Sequence, residues 1–151
     1  MRTALVTALL LSWCTTAALP AQVGPDTASR VPVQRVTRLS VIAFWRVPAS
    51  DSVLEADPDL ASALDEQQYY WANTRPLLQT NGISALDQPG RVFLVQEPQR
   101  RWRFAASEDS AAIGYLLVAP GQAPQVLYGR QFPDELLAAA RAYARRAPVR
   151  R

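Results

Sequence analysis

Leu39 to Trp45 reads Leu-Ser-Val-Ile-Ala-Phe-Trp, and only Ser40 in it is polar. Apolar and polar residues do not alternate, so an extended segment here is apolar on both faces. A strand of that kind needs a covering layer on each side. The run therefore restricts the chain to a layered α/β sheet with this strand inside it. Val47-Pro48-Ala49-Ser50-Asp51-Ser52 ends the strand as a loop. Asp57-Pro58 then supplies an N-cap followed by proline in the first helical turn. Leu60, Leu64, Trp71 and Leu78 follow at spacings of four and seven, which places them on one helical face. Pro76 is expected to kink this helix or split it after Thr74. Asn81-Gly82 ends it, with Gly82 in the left-handed cap position.

The middle of the chain is β-like. Arg91 to Gln96 and Arg101 to Ala105 read as strands joined by the turn Glu97-Pro98-Gln99-Arg100. In the second, Trp102 and Phe104 alternate with Arg101 and Arg103, the pattern of an edge strand. Ile113 to Ala119 and Gln125 to Tyr128 bracket Pro120-Gly121-Gln122-Ala123-Pro124 as a hairpin. Pro133-Asp134-Glu135 opens a final helix with acids at its start, and Arg141, Arg145 and Arg146 lie toward its end, as the helix dipole favours. Leu136, Leu137, Ala140 and Tyr143 form its inner face. Residues 38–146 thus make one α/β domain, long enough for one core.

Ahead of it lies a targeting pattern. Met1-Arg2 gives a positive start, Ala4 to Trp13 is apolar but for Thr7 and Ser12, and small residues lead to Ala18-Leu19-Pro20-Ala21. Residues 1–21 read as a secretory signal peptide, cleaved after Ala21 or Ala18. The apolar stretch is shorter than the roughly 20 residues a bilayer span requires. A lipoprotein signal acylated at Cys14 is the competing reading, but Trp13 occupies a place where a small residue is expected. Residues 22–37, with Gly24, Pro25 and Pro32, read as a flexible linker, and 147–151 as a basic tail. The expected location is periplasmic or secreted, with no membrane span in the mature chain.

Export sharpens what composition excludes. The chain has no Lys, no His and one Cys, and that Cys14 leaves with the signal. Thiol and imidazole nucleophiles, Schiff-base lysines, disulfides and zinc sites built on Cys or His are then all unavailable. Loss of Arg2 leaves 15 Arg against 13 Asp and Glu, a net charge of +2 too small and too interspersed to indicate nucleic acid. No cofactor is implied.

The buried strand ending in Phe44-Trp45, followed by a loop and a helix, resembles the start of a thioredoxin-like domain. Tyr115-Leu116-Leu117-Val118, the turn into Val126-Leu127-Tyr128-Gly129, and Pro133-Asp134-Glu135-Leu136 are similar to that family's closing hairpin and helix. The resemblance implies a central mixed sheet with helices packed on its faces. It also implies a redox Cys-x-x-Cys near Ala49-Ser50-Asp51-Ser52, where this chain has no cysteine. The family's cis-proline falls near Gly114 and is likewise missing. The fold is expected; thiol–disulfide exchange is not.

Three constellations remain. Tyr69-Tyr70-Trp71 puts three aromatics in consecutive helical positions, so Tyr69 or Tyr70 must face outward as a candidate partner surface. Arg100, Arg101 and Arg103 around Trp102 suggest a phosphate-binding face with stacking, although Glu97, Glu108 and Asp109 nearby in sequence point to a charge-balanced hairpin. Asp51, Glu55, Asp57, Asp59, Asp65 and Glu66 raise paired carboxylates or Ca²⁺ ligation, yet cap and first-turn roles account for Asp57 and Asp59, and no twelve-residue Ca²⁺ loop is present. The expected function is a non-catalytic binding or structural module of the cell envelope, with an unknown envelope protein or ligand as partner. A small carboxylate-dependent hydrolase is the alternative.

Overall fold

The computed structural model describes residues 31–107 and 111–146. The signal segment 1–21, residues 22–30 of the expected linker, Glu108, Asp109 and the tail 147–151 lie outside the described residues. The apolar run forms strand β2 (Ser40–Trp45), buried from Ser40 through Phe44. It lies inside a four-stranded sheet of order β3-β2-β6-β7, with β3 at Ser84–Pro89, β6 at Ile113–Val118 and β7 at Gln125–Tyr128. Strand β3 runs parallel to β2 with Ile42 opposite Leu86, whereas β6 is antiparallel with Ala43 opposite Tyr115. A parallel pair needs a crossover, which helices α1 (Asp51–Ala56) and α2 (Pro58–Thr80) provide. Strand β7 returns antiparallel to β6, and α3 (Pro133–Ala144) is the last described element.

The two faces of β2 bury against different layers. Val41 and Ala43, with Tyr115 and Leu117 of β6, pack against Trp71 and Leu78 of α2 and Leu136, Ala140 and Tyr143 of α3. Ile42 and Phe44, with Leu116 and Val118, pack against a second sheet. That sheet has the order β1-β4-β5, from Val33–Arg35, Val92–Gln96 and Arg101–Ala105. Phe93, Val95 and Phe104 are its inner residues, and the Phe44 ring lies 5.0 Å from that of Phe104 and 6.3 Å from that of Phe93. The molecule is therefore a mixed α/β structure with two mixed sheets and three helices.

Four expectations need correction. Helices cover one face of the central sheet only, because the β4–β5 hairpin presents three large apolar side chains that cover the other. The stretch 22–37 is not all linker: β1 pairs in parallel with β4, Leu94 N–H donates to Pro32 O at 2.8 Å, and Val36 is fully buried. Asp51 and Ser52, read as loop, begin the short helix α1. Pro76 does not split α2 after Thr74, since the helix runs to Thr80 with the proline inside it. Both Pro76 and Ala72, whose carbonyl loses its usual helical donor to the proline, are exposed, so that carbonyl lies on the solvent side of the helix.

Other expectations hold. Asp57 caps α2 by accepting from Leu60 N–H at 3.0 Å, and Gly82 ends it at φ +73°. The helix buries Leu60, Gln67, Trp71, Thr74 and Leu78 while Tyr69 is 68% exposed, which fixes its phase. The inner face of α3 is Leu136, Leu137, Ala140 and Tyr143, as its spacing implies.

Candidate functional site

Where β2 ends at Trp45, the chain turns through Val47 and Pro48, and α1 folds back toward the first half of α2. The three segments do not close on one another. Between them lies a cavity of about 370 Å³, walled by Trp45, Val47, Pro48, Leu54, Leu64 and Trp71, with Ala61 on the α2 side. Its place follows from the topology, since open α/β sheets leave crevices beyond the carboxyl ends of their parallel strands. Its volume lies within the range of small-molecule sites, which are concave and mostly apolar.

The polar lining consists of Asp65, Gln67 and Gln68. Asp65 and Gln68 are exposed, but Gln67 is only 3% exposed. Its Oε1 accepts from Tyr115 Oη at 2.7 Å, and its Nε2 has no partner. Burial pushes the Tyr115 phenol up to about 12 despite that hydrogen bond, so it keeps its proton and donates it to the amide. Trp71 is anchored at the opposite end of its ring, where the indole N–H donates to Asp87 of β3. Asp87 also accepts from Arg75 at 2.7 Å. These contacts fix α2 against both β3 and β6 and hold the pocket wall in place.

A second polar cluster sits at the far side of the molecule. Glu97, in the β4–β5 turn, is buried and accepts from Arg100 at 2.8 Å, from Trp102 Nε1 at 2.8 Å and from Gly121 N–H at 3.4 Å. Burial pushes its carboxyl up, but the hydrogen bonds from Arg100, Trp102 and Gly121, with the Arg100 charge, outweigh it, and the pKa falls below the ordinary value. Arg100 also donates to Gln122 O at 2.6 Å, tying the β4–β5 turn to the β6–β7 turn. A carboxylate held ionised in this way is a clasp, since a general acid needs its pKa raised.

The four candidate surface residues fall on two separate faces. Tyr69 and Tyr70 belong to α2 on the helical side, whereas Arg101 and Arg103 belong to β5 in the sheet that covers the opposite side. Tyr70 stands edge-on to Tyr69 and to Phe132, both at 5.4 Å, and the Arg130 guanidinium lies over the Tyr70 and Phe132 rings at 5.7 and 5.2 Å. Arg130 is in turn paired with Glu66 at 2.8 Å. Arg101 and Arg103 point outward; Glu97 is committed to Arg100, so among the described residues no ion pair balances them.

The acidic set disperses. Asp57 caps α2, Glu66 pairs with Arg130, and Asp65 is the single carboxylate lining the pocket. Among the described residues no three carboxylates gather as a metal set. Sequence reasoning passed over Gln67, although a signal was present. Positions 60, 67, 71, 74 and 78, with half-buried Leu64, complete one inward stripe, and Gln67 and Thr74 are its polar members. A polar residue in phase with an apolar face is the informative kind. Compared with protein-family models, curated proteins and solved structures, the chain matches none.

Proposed function

We propose that the chain is an exported, non-catalytic module of thioredoxin-like topology that acts in the cell envelope by binding, and that the pocket beyond β2 is where it binds. The observation that carries this reading is the pocket itself: two indoles and five aliphatic side chains around one buried amide. The thioredoxin-like part is supported by the way β2, the crossover through α2, the β6–β7 hairpin and α3 assemble around one sheet. The second sheet on its other face is a departure from that family's helical covering. Ala49 and Ser52 stand where the family carries its redox cysteines, so the segment after β2 brings no thiol. The export part rests on the N-terminal pattern through Ala21. A carboxylate hydrolase needs two facing carboxyl groups, and the pocket brings only Asp65. Among the described residues no helix is long and apolar enough to cross a membrane.

Native mass spectrometry of the full chain recovered from the envelope fraction tests the reading. The expected result is an N-terminus at Gln22 or Leu19 and a retained small molecule or partner that Ala61→Phe, which fills the pocket from α2, releases. Recovery from the cytoplasm with Met1 in place overturns export. A bound species that survives Ala61→Phe unchanged removes the pocket from the proposal.

A further inference from the structure

The Gln67 amide gives the pocket a chemical preference. A buried amide N–H without an acceptor costs about 1–3 kcal/mol, and folded proteins carry few of them. Here the phenol of Tyr115 has a proton to place, and Gln67 Oε1 takes it at 2.7 Å. That fixes the amide with Nε2 as the unmatched end, a buried atom of a side chain that lines the cavity beside Trp45, Leu54, Leu64 and Trp71. Among the lining residues Gln67 is the one fully buried polar side chain. No cation lines the cavity, and Asp65 at its rim repels an anion. The group that answers a neutral donor in an apolar, slightly acidic pocket is an uncharged acceptor.

We infer that this site takes a small, neutral, largely apolar compound presenting one carbonyl oxygen, as an amide, ester or ketone does, to Gln67 Nε2. The inference rests on the pocket being the binding site and adds to it the class of ligand. The carbonyl accepts from Nε2 while the hydrocarbon part fills the space between the two indoles and Leu54 and Leu64. A carboxylate of the same size is excluded by Asp65 and by desolvation, because no Arg stands by to balance its charge. A pure hydrocarbon enters but leaves the amide unmatched.

Three probes of one shape decide it: butyrophenone, butylbenzene and 4-phenylbutanoate, titrated calorimetrically into the full chain. Butyrophenone is expected to bind about tenfold tighter than butylbenzene, the usual effect of one hydrogen bond made in place of an unmatched donor. 4-Phenylbutanoate is expected to bind more weakly than either. Gln67→Leu combined with Tyr115→Phe removes the donor and the phenol it serves, keeps the shape, and should bind both neutral probes alike. Ala61→Phe should bind none, and circular dichroism melts confirm that each variant is folded. If the double variant proves unfolded, the wild-type ratio of ketone to hydrocarbon still decides. Equal affinity of wild type for the two neutral probes, or a tighter carboxylate, overturns the carbonyl preference and leaves the pocket as a binding site. Failure of all three probes to bind overturns the pocket reading together with it.

Discussion

The two faces of β2 are built to different standards. Toward the second sheet, Ile42, Phe44, Leu116 and Val118 meet Val36, Phe93, Val95 and Phe104 in an apolar cluster, and the two polar side chains buried at its margins are both hydrogen-bonded, Ser40 to Arg38 O and Gln88 to Gln34. Packing is close enough that a Cβ added at Gly114 falls 2.5 Å from the Phe44 ring. Toward the helices, the same strand meets polar groups buried among the apolar ones: Gln67 with Tyr115, Thr74 with the Tyr70 carbonyl, and the Tyr143 hydroxyl with Ala119 N–H. The dry side holds the layers together. The helical side keeps a cavity and an unmatched amide. Sites that bind must leave space and polar atoms unsatisfied, and such defects are tolerated where the opposite face supplies the stability.

The sharpest way to break this comparison is to hollow out each side in turn. Phe44→Ala and Trp71→Ala should each cost about 3–5 kcal/mol, the range for emptying a buried aromatic site. Urea melts read both as a lower midpoint with an unchanged slope. Phe44→Ala should leave the pocket's preference among ligands intact, since its ring faces Phe93 and Phe104. Trp71→Ala should alter it, since the indole is part of the pocket wall. A Phe44→Ala protein nearly as stable as wild type would mean that the second sheet contributes little, and the comparison fails.

What the sequence reveals follows the same division. Elements whose residues carry their own pattern were legible: β2 by its apolar run, α2 and α3 by helical spacing, and the β4–β5 and β6–β7 hairpins by turn residues. Elements created by their neighbours were not. Ser84-Ala-Leu-Asp-Gln-Pro89 has no strand periodicity, and it becomes β3 because β2 presents a free edge to it. Pro89 is tolerated because β3 is an edge strand. Val33–Arg35 is too short to show alternation, and its strand exists through bonds to β4. The pocket was invisible for a related reason. Its walls come from β2, a loop, α1 and α2, and only Gln67, polar on an apolar stripe, left a local trace.

The clasp at the edge of the dry side sharpens the contrast further. Glu97→Gln should cost about 2 kcal/mol near neutral pH, because it leaves Arg100 and Trp102 with a weaker acceptor. The sign with pH is definite. The folded carboxyl titrates below its ordinary value of 4.5, so its stabilisation is present above that value and is lost as pH falls through the folded pKa. Wild type should therefore lose its margin over the variant in acid, and urea melts at pH 7 and pH 3 show it as converging midpoints. A margin that stays constant across that range would mean Glu97 acts through shape alone.

The smallest effect is expected at Tyr69, and it tests the phase on which the pocket depends. Residues 69 and 71 lie two apart on α2, about 200° around the helix from one another. Trp71 accordingly turns inward to the Tyr115 ring at 6.0 Å, and Tyr69 turns out, its ring edge-on to that of Tyr70 at 5.4 Å. Tyr69→Ala should change stability by no more than about 0.5 kcal/mol, the usual range for an exposed site. Butyrophenone affinity should be unchanged as well, because Tyr69 is not among the pocket's lining residues. Thermal melts and one calorimetric titration check both statements. If Tyr69→Ala proves the costly substitution and Trp71→Ala the mild one, α2 is rotated by half a turn. Gln67 would then face away from Tyr115, its amide would be solvated, and the carbonyl preference would lose its donor.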